Sequence, residues 1–459
     1  MSKAETEAAT AGTETREFKA EIKQLLDILI HSVYTSKEVF VRELISNATD
    51  ALEKVRFMDA SGATLQSPDL ALEVRIETDK ENKVLVISDS GIGMTSAEVE
   101  ANIGTIAHSG ATAFIEQLKQ NAKADQSSDK SSDKSSDKSG DKSGDQSTDV
   151  NLIGRFGVGF YSVFMVAKKV VLSTRSADPT GESVVWTSDG AGTYTLDASK
   201  DDSPRGTRIE IHLNDDDAEF ADDQQIKSVI QRYSNFVPFP VHVNGEQVNQ
   251  TTALWREPAS QIDDEQYNEF YKLVSHDFQE PCLRLHHSVE GAIQFSALLF
   301  VPKSNPEVMG FGESEVSLQL YVQRVLIDGN NHDCLPKYLR FIKGVVESED
   351  IPLNVSRETL QQNRVIRKIR DNLTGKLLDQ FLTMAEKEPD SYKEFWSTFG
   401  RFLKEGYSDY SNRDKIQELL RFHSSRDKSD DDLVSLTQYV SAMPAGQSAI
   451  YYLSGASRE

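Results

Sequence analysis

Three short stretches carry residue types suited to chemistry. In FVRELISNATDAL, Phe40 to Leu52, a carboxylate, an amide and a second carboxylate stand at Glu43, Asn47 and Asp50. At about 100° per residue they fall within roughly 60° of arc on a helix, either as a solvated stripe or as the wall of a site. Val41, Leu44, Ile45, Ala48, Ala51, Leu52 and Val55 form the neighbouring apolar face, the ordinary pattern of a surface helix. Asn47 resists that reading, because a mediocre helix former sits mid-helix between two acids. In SDSGIGM, Ser88 to Met94, Asp89 ends a strand, and Gly91 and Gly93 permit close approach of backbone to a ligand. In GRFGVGF, Gly154 to Phe160, backbone N–H groups precede a helix and suit phosphate oxygens. Each of these glycine stretches alone fits a plain turn equally well. The last lacks the Lys-Ser/Thr of a P-loop and follows a polar repeat rather than a strand, which also argues against a dinucleotide fingerprint.

The elements that must position these residues can be read from periodicity. EFKAEIKQLLDILIHSVY alternates briefly and turns helical. Thr35 and Glu38 are spaced as a capping box for the helix that carries Glu43. LEVRIETDKENKVLVISDSGIGM reads as a hairpin, with Leu72, Val74 and Ile76 alternating and Val84 to Ile87 buried. Residues 97–120 give short helical pieces broken at Gly104 and Ser109-Gly110, either a movable lid or an ordinary helix–loop–helix. Residues 121–149 repeat Ser, Asp and Lys with scarcely an apolar side chain, which predicts a disordered insertion. An apolar helix and strand follow Gly154, and VVWTSDGAGTYTL and GTRIEIHL add strands. QQIKSVIQRYSNFVPFPVHV reads as the exit from a first domain, and GAIQFSALLFVP and SLQLYVQRVLI are strands of a second region. A helical tail then runs to about Leu420, and SLTQYVSAMPAGQSAIYYLSG reads as a short helix and a strand.

Bulk composition sets limits. At 459 residues the chain needs two or three domains, and 38% hydrophobic residues supply proper cores. A formal charge of −23 speaks against nucleic acid or an anionic membrane as partner. Cys282 and Cys334 have no metal-ligand or redox spacing. The opening MSKAETEAATAGTETREF has no apolar signal core, and no run reaches the length of a membrane span. A soluble, cytoplasmic protein is expected.

A helix-borne Asn, a strand-borne Asp-x-Gly-x-Gly and a Gly-x-Gly entering a helix, in this order, resemble the ATP site shared by DNA gyrase, histidine kinases, mismatch-repair ATPases and one chaperone family. RELISNATDAL, DSGIGM, GTIAHSGATAF, IGRFGVGFYSVFMVA, GTRIEIHL, ALWREP and LPKYLRFIKGVVESEDIPLNVSRETLQ resemble the heat-shock protein 90 family, bacterial type. The resemblance runs from about residue 17 to the end, outside the insertion. It implies an α/β protein. An N-terminal two-layer α/β sandwich with a mixed, mainly antiparallel sheet would occupy residues 1–230, and an α/β middle domain with a helical tail residues 231–459. The family's C-terminal dimerisation domain is expected to be absent, so this chain would be mainly monomeric where the full-length protein is a homodimer.

The resemblance further implies an ATP-dependent molecular chaperone that hydrolyses ATP with Mg²⁺ and closes a lid and clamp around partly folded client proteins. Glu43 resembles the carboxylate that activates water, and Asn47 the Mg²⁺ ligand. Asp89 resembles the acceptor for the adenine amino group, supported by Thr207 and by waters near Gly93. Met94, Asn102 and Ile103 would line the pocket, Asp50 would support its polar wall, and Gly154, Arg155, Phe156, Gly157, Val158, Gly159 and Phe160 would cradle phosphate. Arg357 resembles the residue that reaches the γ-phosphate from the second domain, with Gln361 one turn on. Arg357 also stands out by itself, as a cation in the first turn of a helix that Ser356 could cap. His108 and Arg155 depart from the family's usual Lys and Gln. A histidine kinase would need a phospho-acceptor helix where fewer than about 25 residues precede the site. A gyrase-like ATPase would bring a basic surface, and a binding module with incidental hydrolysis is a third alternative.

Overall fold

The helix expected around Glu43 forms as α1, Val39–Ala60. The computed structural model describes residues 15–17 as backbone, and 36–104, 159–199, 202–305, 307, 318–351, 364–425 and 433–455. The insertion at 121–149 and Thr35 lie outside these residues. Glu38, expected as the third residue of a capped helix, instead precedes the first turn and makes no side-chain cap bond. Its carboxylate lies 3.6 Å from Arg232. The first turn is closed by tighter bonds, from the Phe40 N–H to Lys37 O (3.2 Å) and from the Val41 N–H to Glu38 O (3.1 Å).

The chain divides into two compact units, Met1–Thr252 and Ala253–Glu459. The first is built on a sheet of β1 (Thr15–Glu17), β2 (Val74–Asp79), β3 (Val84–Asp89), β4 (Ala167–Arg175), β5 (Ser183–Ser188), β6 (Thr193–Ser199), β7 (Gly206–Leu213), β8 (Val241–Val243) and β9 (Glu246–Gln247). Their order is β1-β6-β5-β4-β7-β3-β2-β8-β9. β2 and β8 run parallel, and the other neighbours are antiparallel. This is the mixed, mainly antiparallel sheet of the expected α/β sandwich. β3, between β2 and β7, carries a continuous run of buried residues, whereas β2, between β3 and β8, alternates buried Val74 and Ile76 with exposed Arg75 and Glu77. The pairing of β8 with β2 carries the first unit about twenty residues beyond the boundary read from the sequence.

The helical layer of this unit is α1, α2 (Ser96–Asn102) and α3 (Asp223–Tyr233), with a 3₁₀ turn at Gly159–Met165. The first half of α1 is buried almost all round: Val39, Phe40, Val41, Leu44, Ile45, Ala48 and Leu52 are in the core, and so are Arg42, Glu43, Ser46 and Thr49. Phe40 meets Phe220 edge-on at 5.2 Å between ring centroids. The end of the unit is pinned by buried Asn249. Its amide accepts from the Val241 N–H (2.8 Å) and donates to Val237 O (3.2 Å) and Phe239 O (3.0 Å). The Gln250 N–H still reaches Asn235 O at 2.7 Å.

The second unit has a sheet of β10 (Leu283–Val289), β11 (Phe295–Val301), β12 (Leu318–Val322), β13 (Val325–Asn331) and β14 (Lys343–Glu347), ordered β10-β11-β14-β12-β13. Its helices are α4 (Asp264–Ser275), α5 (Arg364–Lys387), α6 (Pro389–Glu405), α7 (Arg413–Leu419) and α8 (Leu436–Ser441). Phe341 stacks on Phe399 with centroids 4.3 Å apart, amid Phe381, Phe395 and Phe402. Trp255 is fully buried at the start of this unit, and its indole N–H donates to the Glu347 carboxylate. The same carboxylate accepts from Arg256 Nε and Nη2 (both 2.7 Å) and from the Arg324 N–H (2.6 Å). The tail is helical as expected, but the strand expected after α8 does not form among the described residues. The β15 (Arg421–Phe422) and β16 (Val434–Ser435) strands pair with each other, while the Tyr451 N–H bonds the Tyr439 hydroxyl instead of a neighbouring strand (3.3 Å). No helix among the described residues is long and apolar enough to cross a membrane.

Candidate functional site

Glu43 is 5% exposed. Buried Arg42 donates to its Oε1 through Nε and Nη2, both at 3.3 Å, and lays its guanidinium 5.8 Å from the Tyr233 ring centre. The backbone of Gly159 lies against the other side: a Cβ there would stand 2.6 Å from Glu43 Oε2. The last glycine of GRFGVGF is thereby brought onto the carboxylate. Asn47 and Asp50 follow at half-buried positions one and two turns on. Of the stripe, Glu43 is buried and Asn47 and Asp50 are half-buried, so it is not a fully solvated face.

Asp89 ends β3, opposite Val74 on one side and Thr207 on the other. The chain then turns back on α1, with the Ile92 N–H bonded to Ala51 O at 3.1 Å. Gly91 donates its N–H to Asp89 Oδ1 (2.8 Å), and a Cβ on it would meet the Ala51 Cβ at 2.5 Å. Gly93 has φ +61°, and a Cβ there would overlap Arg175 O at 1.8 Å. Only glycine fits that position. The residue Asp89 is half-buried, but its carboxyl is enclosed. Burial pushes it up to about 7, against the pull of the Gly91 and Thr207 N–H groups and of the Arg205 charge. An enclosed hydrogen-bond acceptor beside bare backbone is suited to reading one donor group of a flat ligand.

The side chains behind Asp89 and Gly93 are polar. Buried Thr174 accepts the Met94 N–H (3.0 Å) and lies 3.1 Å from the Thr207 hydroxyl. Arg205, 2% exposed, donates to Ser90 O and to Leu70 O (3.1 Å), which fixes the loop behind Asp89. α2 starts from a capping box: Thr95 Oγ1 accepts the Glu98 N–H (3.3 Å) and Glu98 accepts the Thr95 N–H (2.8 Å). Ile103, at its end, is buried and accepts from the Tyr161 hydroxyl, while Asn102 is exposed. Phe160 is buried against Tyr161 and Trp186, at 5.6 and 5.7 Å between ring centroids.

The model of the histidine kinase-, DNA gyrase B- and HSP90-like ATPases matches residues 34–191, and that of the Hsp90 protein family matches residues 242–459. The chaperone protein HtpG of Desulfitobacterium hafniense (strain Y51) is 46% identical over 447 residues, covering 97% of this chain and 69% of that one. The family is thereby shown. The chain belongs to the Hsp90 family. HtpG of Oleidesulfovibrio alaskensis is 44% identical over 449 residues, with 98% and 67% covered. HtpG of Desulfotalea psychrophila is 46% identical over 443 residues, with 96% and 67% covered. The chain spans about two thirds of the length of these Hsp90 relatives. It is an ATP-dependent molecular chaperone with an ATPase domain of the type shared with gyrase and histidine kinases.

In this Hsp90 ATPase domain the described residues bring Glu43 to Gly159, Asp89 to Thr207, and Met94 to Thr174. His108, Gly154, Arg155, Phe156, Gly157, Val158, Ser356, Arg357 and Gln361 lie outside the described residues. Arg42, Thr174 and Arg205, which bond Glu43, the Met94 N–H and the Ser90 carbonyl, were not singled out from the sequence. Arg42 had a signal, a cation in line with the apolar face. Thr174 and Arg205 had none, because an alternating strand and a turn carry such residues everywhere.

Proposed function

We propose that the first unit binds ATP with its adenine amino group on Asp89, supported by Thr207, and that Glu43 orients and activates the water that attacks the γ-phosphate. The observation that carries this reading is the enclosed Asp89 acceptor followed by two glycines that tolerate no side chain, on a loop bonded to the same helix that buries Glu43 against Gly159. Glu43 is held in place by Arg42 on one oxygen, which leaves its orientation defined for hydrogen bonding to a water. Met94 and Ile103 line the base pocket, Asn102 stands at its rim and Asp50 supports the polar wall. The backbone from Gly154 to Phe160 cradles the phosphates, with Arg155 in place of the family's usual Gln, and His108 belongs to the lid.

Among the described residues no group of three His, Cys, Asp or Glu side chains could hold a metal ion. The half-buried Asn47 amide would supply the protein oxygen that holds a Mg²⁺. When bound, it would neutralise charge on the phosphates. Arg357, from the second unit, supplies a cation to the γ-phosphate, with Gln361 beside it. Lid and clamp closure then act on partly folded clients, with two protomers pairing in the cycle, in the cytoplasm of a bacterial cell. The chaperone relatives support the client-binding part of this reading.

Calorimetric titration with ADP and phosphate release under saturating ATP test the reading together. Glu43→Ala and Arg357→Ala should each bind ADP as the parent does and release phosphate slowly. Turnover of either within a few-fold of the parent would remove that residue from the chemistry.

A further inference from the structure

Asp89, Thr207 and Thr174 are cross-strand partners in one row over β3, β7 and β4. Thr174 Oγ1 is surrounded by the Met94 N–H at 3.0 Å, Gly206 O at 2.9 Å and Thr207 Oγ1 at 3.1 Å. A carbonyl oxygen cannot donate, so the proton between Thr174 and Gly206 O must be the one on Thr174. A hydroxyl has one proton and two lone pairs. One lone pair of Thr174 takes the Met94 N–H, and the remaining contact, to Thr207, must then be bridged by the proton of Thr207. Thr174 has no proton left to give.

We infer that Thr174 is a positioning residue that fixes the hydrogen-bond polarity of Thr207, turning a hydroxyl able to donate or accept into an acceptor only. With Asp89 ionised, the row then faces the base with a carboxylate oxygen and a Thr207 oxygen that both accept. That arrangement selects a purine with an amino group at position 6 and rejects one with a carbonyl there, whose lone pairs would meet lone pairs. Thr174 never touches the base. It acts from beneath, through a side chain only 3% exposed. The inference rests on the adenine reading of Asp89 and Thr207 above, and it adds the source of the selectivity.

The test compares ADP with inosine diphosphate, which carries the carbonyl, by calorimetric titration of the full chain. The parent should favour ADP. Thr174→Val removes the Gly206-bound hydroxyl and frees Thr207 to turn its proton toward a carbonyl, so the ratio of the two Kd values should fall by at least about fivefold. Thr174→Ser keeps all three contacts and should hold the ratio within about twofold. A Thr174→Val that weakens both nucleotides equally, with an unchanged ratio, overturns the inference. So does a parent that binds both alike. In a Thr207→Val background, adding Thr174→Val should leave the ratio where it was, and a further shift there would show that Thr174 acts by another route. If Thr174→Val fails to fold by circular dichroism, Thr207→Val decides alone. The ratio falls if that hydroxyl only accepts, and stays if it turns freely. A parent that binds neither nucleotide defeats the adenine reading itself, whereas a selective parent with unresponsive variants defeats only the polarity.

Discussion

Replacing Asp89 by Asn separates what this carboxylate does for binding from what it costs the fold. Its ordinary value is 3.8, and burial raises it to about 7. The native state therefore holds a proton that the unfolded chain has already released, and stability falls as pH rises from about 4, levelling once pH passes the folded value. For a carboxyl raised by this much the ionised form costs about 4 kcal/mol when fully expressed, of which about 2–3 kcal/mol develops between pH 5 and pH 8. Asn cannot ionise, keeps an oxygen for the Gly91 N–H, and gives up only the attraction of Arg205. The Asn variant should therefore be more stable than the parent at pH 8, with a gap that shrinks by about 2–3 kcal/mol at pH 5. For a unit of this size that amounts to roughly 5–10 °C in melting temperature at the higher pH. Thermal denaturation of the full chain measures it, the relevant transition being the one that ADP raises in the parent. ADP affinity should meanwhile fall by more than about tenfold, because the amide matches the base's amino group less well than the carboxyl does. A stability gap that ignores pH, or a variant less stable than the parent at pH 8, would refute the burial argument.

Other perturbations follow from the same geometry. Gly93→Ala puts a methyl on Arg175 O at a positive φ and should cost at least about 3 kcal/mol, read as lost ADP binding and an early melting transition. Arg256→Ala leaves the buried Glu347 carboxylate without its main counter-charge, and urea denaturation of the second unit should show a loss of about 3–5 kcal/mol. Thr95→Ala opens the capping box of α2 and should cost about 1 kcal/mol locally, visible as faster amide exchange in Ser96–Asn102 with the melting temperature nearly unchanged.

Much of the first unit was legible because its elements are locally consistent. The β2–β3 hairpin could be read from the alternation of Val74 and Ile76 and a polar turn, and the glycines of DSGIGM marked places where backbone comes too close for a side chain. The burial of Glu43 was not legible. An amphipathic stripe looks the same whether water or a second segment covers it, and what covers it here is Gly159, more than a hundred positions away. Thr174, the cross-strand neighbour of Thr207, was hidden for the same reason, since strand order is a property of the sheet and not of any one strand. The capping box at Thr35 and Glu38 was misread because two spacings that differ by a single turn share one motif. The closing strand was misread because apolar residues in an extended run describe a strand only when a partner edge exists.

Asn249 ties the chain to the carbonyls of Val237 and Phe239, and Gln250 is still bonded to Asn235. Ala253 is already 1% exposed, and Trp255 is fastened to Glu347. Between these anchored segments stand Thr251 and Thr252, at the boundary of the two units. Inserting a few flexible residues after Thr252 should therefore leave each unit folded by itself, with its own melting transition unchanged.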